Sequence, residues 1–281
     1  MKYIIITPAN NEEDNIRYLI DSILNQTQKP AHWIIVDDGS QDDTFKIAKN
    51  ICADFDWISV IQNNTNQSRA SGGKVIKAFK YGLEYVSEEY DFLVKLDADV
   101  ILPDNYFESI IKEFKENSSL GICGGIIKHK QNGKEVFEKT NKYHVRGALK
   151  SIRKSCYRDI GGFKEVLGWD GLDEMKAMQL GWQTYSIPLP VFHRRPTRSY
   201  YNPLKLQYKL GYSAHLRRNS FLLVILRTIK NILIKPYIIS GFSYFTGYFV
   251  AVLKNEPSVI DKELARYINT FHWKRIIKKT N

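Results

Sequence analysis

The sequence has few of the residues that would cross-link it or carry it through a membrane. Its 281 residues include three cysteines, Cys52, Cys123 and Cys156. The number is odd, no two lie close together, and none has metal-ligand spacing. That argues against a disulfide framework or cysteine-held zinc and for reduced thiols in a cytoplasmic compartment. The opening apolar run, Met1 to Thr7, is too short for a signal peptide. No internal repeat, low-complexity tract or Walker-type phosphate loop is present. Acid is scarce at one end. Residues 194–281 hold 17 Lys+Arg against 3 Asp+Glu, whereas residues 1–193 hold 24 against 27. The net charge of +11 therefore belongs to a tail of +14 on a near-neutral body. Such tails meet nucleic acid or anionic membrane. The first fits the charge but has no recognisable nucleic-acid module behind it, so no nucleic-acid partner is expected.

What is present alternates. Tyr3 to Thr7, Trp33 to Val36, Ile58 to Ile61 and Phe92 to Leu96 read as buried strands. Ile16, Leu19, Ile20, Ile23 and Leu24 have helical spacing, as do Val75, Ala78, Phe79 and Leu83. Strands alternating with helices predict an α/β domain with a mostly parallel sheet. Ligands bind such sheets at the carboxyl ends of the strands. The polar residues collect there: Asn11-Glu12 after the first strand, Asp37-Asp38 after the second, Asp97 and Asp99 after the fourth. On an extended backbone, the i, i+2 spacing of Asp97 and Asp99 puts both carboxylates on one face. Two acids at a buried strand tip need a cation, and hard oxygen ligands suit Mg²⁺ or Mn²⁺. Arg69 and Lys74 flank Gly72-Gly73, where a helix N-terminus could hold phosphate. A plain strand-end turn and a plain helix start would also account for these acids and glycines.

Thr7-Pro8-Ala9-Asn10-Asn11-Glu12, Val36-Asp37-Asp38-Gly39-Ser40 with Asp42 and Thr44, Gly72-Gly73-Lys74 and Leu96-Asp97-Ala98-Asp99 resemble, in order and spacing, the family 2 glycosyltransferases of the GT-A fold. The resemblance spans roughly the first 195 residues. It implies a Rossmann-like, mostly parallel sheet flanked by helices. It also implies transfer of a sugar, with inversion, from a UDP- or GDP-type donor using Mn²⁺ or Mg²⁺. Under it, Thr7, Pro8, Asn11, Glu12, Asp38, Arg69, Lys74 and Asp97 bind the donor nucleotide, and Asp99, Asp97 and His193 hold the metal. Gly161-Gly162-Phe163, then Trp169-Asp170, then Gly181-Trp182 resemble the family's acceptor segment, with Trp169 where the family usually has Glu. Counting back from Gly181 puts Asp170 on the family's catalytic base, with Asp173 in reserve. Inversion needs one such base. Without the family, Asp170 would read as a helix cap.

Residues 1–195 are thus expected to form the GT-A domain. Its nucleotide-sugar half covers about residues 1–100 and its acceptor half about 101–195. Ile187 to Arg195 is read as a closing edge strand, because proline is tolerated there, and Arg194 and Arg195 could screen a leaving diphosphate. Residues 196–281 form a basic, aromatic-rich helical tail. Its uncharged stretch, Tyr237 to Leu253, leaves three readings open: helices lying in a membrane interface, a packed hairpin, or a span. The expectation is an enzyme of surface polysaccharide or glycolipid synthesis, peripheral on the inner face of the cell membrane, with a saccharide or lipid-linked acceptor. The rival class is a non-catalytic nucleotide-sugar-binding or membrane-scaffolding protein. The intact Asp97, Asp99 and Asp170 argue against it.

Overall fold

The computed structural model describes residues 1–63, 73–131, 133–195 and 202–279. The chain divides into two compact units, Met1–Thr197 and Arg198–Asn281.

The first unit is built on a single sheet. Strands β1 (Tyr3–Ala9), β2 (His32–Asp37), β3 (Ile58–Gln62) and β4 (Phe92–Leu96) alternate with helices α1 (Ile16–Leu24), α2 (Thr44–Cys52) and α3 (Lys74–Leu83). They pair in parallel in the order β3-β2-β1-β4. Strand β1 shows why these segments are apolar throughout. Tyr3 and Ile5 enter one core, Ile4 and Ile6 the other, so both faces of the sheet are covered.

Beyond β4 the sheet becomes mixed. Strand β5 (Val100–Ile101) and helix α4 (Tyr106–Glu116) come next, followed by β6 (Leu120–Gln131), β7 (Lys134–Phe137) and β8 (Leu149–Arg153). Helices α5 (Lys154–Asp159) and α6 (Trp169–Gln179) lead to β9 (Gln183–His193). The order continues β4-β8-β6-β9-β5, with β8 antiparallel to both β4 and β6. Strand β6 carries three glycines because its neighbours press on its backbone. A Cβ on Gly124 would stand 2.5 Å from Val145, and one on Gly125 2.5 Å from the Leu189 carbonyl. Strand β9 is not the outermost strand. It lies parallel to β6, and β5 caps its end, pairing Val100 with His193. Its prolines are accommodated where the β6–β9 register slips between Gly124 and Ile126.

The second unit is helical: α7 (Pro203–Leu216), α8 (Phe221–Ile232), α9 (Ile238–Leu253) and α10 (Lys262–Lys279). No described helix is long and apolar enough to cross a membrane.

Candidate active site

The carboxyl edge of β4 makes a ligand cluster. The chain turns through Asp97, Ala98 and Asp99 before re-entering as β5. The β5–β9 pairing then brings His193 to the same turn. One ligand atom each from Asp97, Asp99 and His193 lies within 4.8 Å of the others. His193 Nε2 stands 3.1 Å from Asp99 Oδ1, while its Nδ1 is buried with no hydrogen-bond partner among the described residues. Two carboxylates and an imidazole with an unused nitrogen fit a hard or borderline divalent ion.

Cations already stand against these acids. Arg195 Nε donates to Asp99 Oδ2 at 2.8 Å, and its Nη2 pairs with Glu12. Burial would raise the Asp99 carboxyl, but His193 and Arg195 outweigh it and hold its pKa at about 2. Glu12 goes the other way. Burial, with the Asp99 charge adding to it, pushes its pKa up to about 7 against the pull of Arg195. Glu12 thus belongs to the Asp99 side of the cleft. The guanidinium that it shares with Asp99 sets its side chain there. Arg194 is elsewhere than expected. Its guanidinium donates to Asn15 and lies 3.8 Å above the Tyr18 ring, tied to α1. Lys95, buried at the end of β4, pairs with Asp97.

Beyond β2, Asp38 accepts from Asn63 Nδ2 at 3.0 Å and pairs with Lys74 at 3.1 Å. Burial raises its pKa, with Lys74 and Asn63 opposing. Asn10 donates to the Asp38 carbonyl. Asn11, at φ +57°, accepts from the Gln41 N–H and donates its own N–H to Ser40, joining the loops after β1 and β2. Pro8 is half-buried on β1, opposite Val36. Thr7 requires a correction. Its side chain is fully buried and its hydroxyl accepts from Trp33 Nε1 at 3.0 Å, so it faces the core under the sheet. Arg69 and Gly72 lie outside the described residues.

Asp170 does not cap a helix. Helix α6 begins one residue before it, at Trp169, and its N-cap is Gly168 at φ +75°. Two neighbours set its place. Gly147 packs so closely that a Cβ there would be 2.7 Å from Trp169 and 3.3 Å from Asp170 Cβ. The next residue, Ala148, accepts the Asp97 N–H at 2.8 Å. One short segment therefore touches both the metal-type cluster and Asp170. Below it, Lys150 of β8 is wholly buried. Its ammonium donates to the Asp170 carbonyl at 2.6 Å and to both Asp173 oxygens at 2.8 and 2.9 Å, and pairs with Glu174 at 3.2 Å. Burial works against its charge, but Asp173, Glu174 and Asp170 outweigh burial and raise its pKa. Glu174 in turn binds His144 and the Val145 N–H. Asp173 is thus engaged beneath the cleft, whereas Asp170 is only half-buried.

Sequence reasoning gave no role to Lys95, Lys150 or Asn63. Lys95 had a readable signal, since it shares the i, i+2 face of Asp97. Lys150 had none, because Leu149-Lys150-Ser151 looks like any strand with a solvated lysine. Trp169 joins the two halves. Lys95 and Lys150 both lie over its ring, 5.6 and 5.2 Å from the centroid.

The glycosyl transferase family 2 model matches residues 4–164. A relative in Bacillus subtilis, the minor teichoic acid biosynthesis protein GgaA, is 30% identical over 122 residues, covering 42% of this chain and 26% of its own. The O-antigen chain rhamnosyltransferase RfbN of Salmonella typhimurium is 23% identical over 207 residues, covering 65% and 63%. The chain thus spans less than two thirds of either relative. Among solved structures, S. aureus TarS 1-349 in complex with UDP-GlcNAc is similar at TM-score 0.56 and 17% identity, covering 90% of this chain and 73% of that one. The mannosyltransferase PcManGT from Pyrobaculum calidifontis, with GDP-Man and Mn²⁺, is similar at TM-score 0.56 and 14% identity, covering 98% and 80%. At these identities the likeness establishes the GT-A fold.

Proposed function

The chain belongs to glycosyl transferase family 2, and from that footing we propose that it is an inverting, divalent-metal-dependent glycosyltransferase using a UDP- or GDP-sugar. The observation that carries this is the segment shared by the Asp97–Asp99–His193 cluster and Asp170. Lys74, Asp38 and Asn63 form the nucleoside end, with Pro8 and Asn11 shaping the loops around it and Arg69 nearby in sequence. Asp97, Asp99 and His193 would hold Mn²⁺ or Mg²⁺, which supplies positive charge against the leaving diphosphate. Arg195 can swing from Asp99 and Glu12 to that diphosphate as the site fills. Asp170 takes the proton of the acceptor hydroxyl as its oxygen bonds to the anomeric carbon, while the bond from that carbon to the diphosphate breaks on the opposite face. Asp173 holds Lys150, and Lys150 holds the backbone of Asp170; a direct proton-taking role for Asp173 is the alternative.

Relatives in teichoic acid and O-antigen synthesis support a place in surface polysaccharide or glycolipid assembly. The tail's +14 charge supports attachment to the anionic inner face of the cell membrane, next to a saccharide or lipid-linked acceptor.

The reading is tested by incubating the protein with Mn²⁺ and a panel of UDP- and GDP-sugars. Donor hydrolysis or transfer is expected for one of them, and no turnover with no nucleotide binding across the panel would overturn the proposal. Asp99→Asn is expected to lose at least tenfold in Mn²⁺ affinity, read by the paramagnetic signal of free Mn²⁺ without nucleotide. Parent-like Mn²⁺ binding would remove Asp99 from the ligand set.

A further inference from the structure

Helices α8 and α9 are inside out for a hairpin that stays in water. The buried face of α9 is made of small residues, Ser240, Gly241, Gly247 and Ala251, together with Tyr244. Its large apolar residues point outward: Ile238, Ile239, Phe242, Phe249, Val252 and Leu253 are all exposed, Phe242 at 64% and Leu253 at 70%. At about 100° per residue these six fall within a wedge of about 140° along the whole helix. Helix α8 follows the pattern in part. Leu223, Val224 and a hydrogen-bonded Asn231 face in, while Phe221, Leu222, Leu226 and Ile229 face out.

A helix in water ordinarily does the reverse and hides its large apolar side chains. Here the interior is closed by backbone approach. A Cβ on Gly241 would stand 2.5 Å from Ile232 and 2.8 Å from the Thr228 carbonyl. Gly211 and Gly247 abut the backbones of Tyr244 and Tyr208 more closely still. Small residues inside and large apolar residues outside is the packing of helices that touch lipid.

The corner between the helices carries the pattern furthest. Residues 233–239 are exposed without a break: Leu233, Ile234, Lys235, Pro236, Tyr237, Ile238 and Ile239. Exposed cations flank the apolar face at Arg227, Lys230, Lys235 and Lys254, and residues 202–255 contain no Asp or Glu. A second copy laid against this face would bring like charges together. Anionic headgroups would neutralise them. The 16 residues of α9 reach about 24 Å, short of a hydrocarbon core of about 30 Å, so the helix suits a position along the interface.

We propose that the α8–α9 hairpin is a wedge lying in the surface of an anionic bilayer, with the corner at residues 233–239 inserted deepest and the four cations on headgroups. This rests on the reading of the tail as membrane-interfacial and adds which face is buried.

The test is flotation of the full chain with phosphatidylglycerol-rich and pure phosphatidylcholine vesicles. The parent is expected to float with the first. The triple variant Ile238→Ser, Ile239→Ser, Phe242→Ser should lose at least tenfold in vesicle affinity. Phe137→Ser, an exposed aromatic on β7, should change nothing. Phe242→Trp, which keeps the apolar face, should shift its emission to shorter wavelength when vesicles are added. A triple variant that floats like the parent, or a Phe242→Trp emission that does not move, would place the contact on another face and overturn the wedge. A parent that floats with neither vesicle would overturn the membrane reading of the tail. A parent that self-associates in light scattering while the triple variant stays monomeric would assign the face to a second copy. None of these outcomes depends on donor turnover.

Discussion

Asp170→Asn is expected to lose about 10²–10⁴-fold in turnover, the usual contribution of a general base, with donor and Mn²⁺ affinity unchanged. The amide keeps the shape of the side chain but cannot take a proton. The backbone carbonyl that receives Lys150 is untouched, so the helix start stays anchored. Asp173→Asn should behave differently. It weakens a buried pair in which both carboxylate oxygens face Lys150, so it should lower the melting temperature. Turnover and thermal unfolding of the two variants separate the roles. An active Asp170→Asn beside a stable, inactive Asp173→Asn would transfer the base to Asp173.

Lys150→Met should cost about 3–5 kcal/mol of stability, because it leaves Asp173 and Glu174 buried without their cation. Both carboxylates are almost wholly inaccessible, so water cannot replace the ammonium. Removing the charge opposite should restore part of the loss. The double variant Lys150→Met, Asp173→Leu exchanges an ion pair for apolar packing, which is often near neutral. Glu174 keeps His144 and the Val145 N–H in either case. Urea unfolding of the three proteins reads this directly. A Lys150→Met protein as stable as the parent would mean that the network does not hold the helix α6 terminus.

The sheet from β1 to β4 was legible because it follows one rule. Strands β1, β2 and β4 are covered on both faces, so their runs are almost wholly apolar and stand out between amphipathic helices. Their acids therefore fall at the carboxyl ends of the strands; that Glu12 and Asp99 share one guanidinium was not readable, because Arg195 lies far along the chain. The mixed part of the sheet breaks the rule. In β6 the glycines at 121, 124 and 125 interrupt the apolar signal, because tight backbone packing replaces side chains there. In β8 a lysine occupies a fully buried position and its partners lie 20 to 24 residues away on α6, beyond what local pattern can show. Thr7 was misplaced for a related reason. A hydroxyl at a strand end looks solvent-facing until Trp33, on the neighbouring strand, is seen to donate to it. In α9 nearly every residue is small or apolar, so the sequence shows an uncharged stretch without showing which side faces out.

Ionic strength should act on the two units in opposite measure. In the cleft four acids already face cations: Asp38 faces Lys74, Asp97 faces Lys95, and Asp99 and Glu12 share Arg195. Filling it with a cation and a diphosphate exchanges close pairs for close pairs. Little uncompensated charge is created or lost, and short, partly buried pairs are weakly screened. The tail has cations with almost no acids to answer them, so its attraction to an anionic surface is the kind that a shortened Debye length removes. Nucleotide affinity is therefore expected to change less than about threefold between low and high salt, while vesicle affinity falls severalfold over the same range. A steep fall in nucleotide affinity would show that the Arg195 bridge does not neutralise the empty cleft. With the bridge in place, the proposed surface attachment is expected to be lost as salt rises while the donor stays bound.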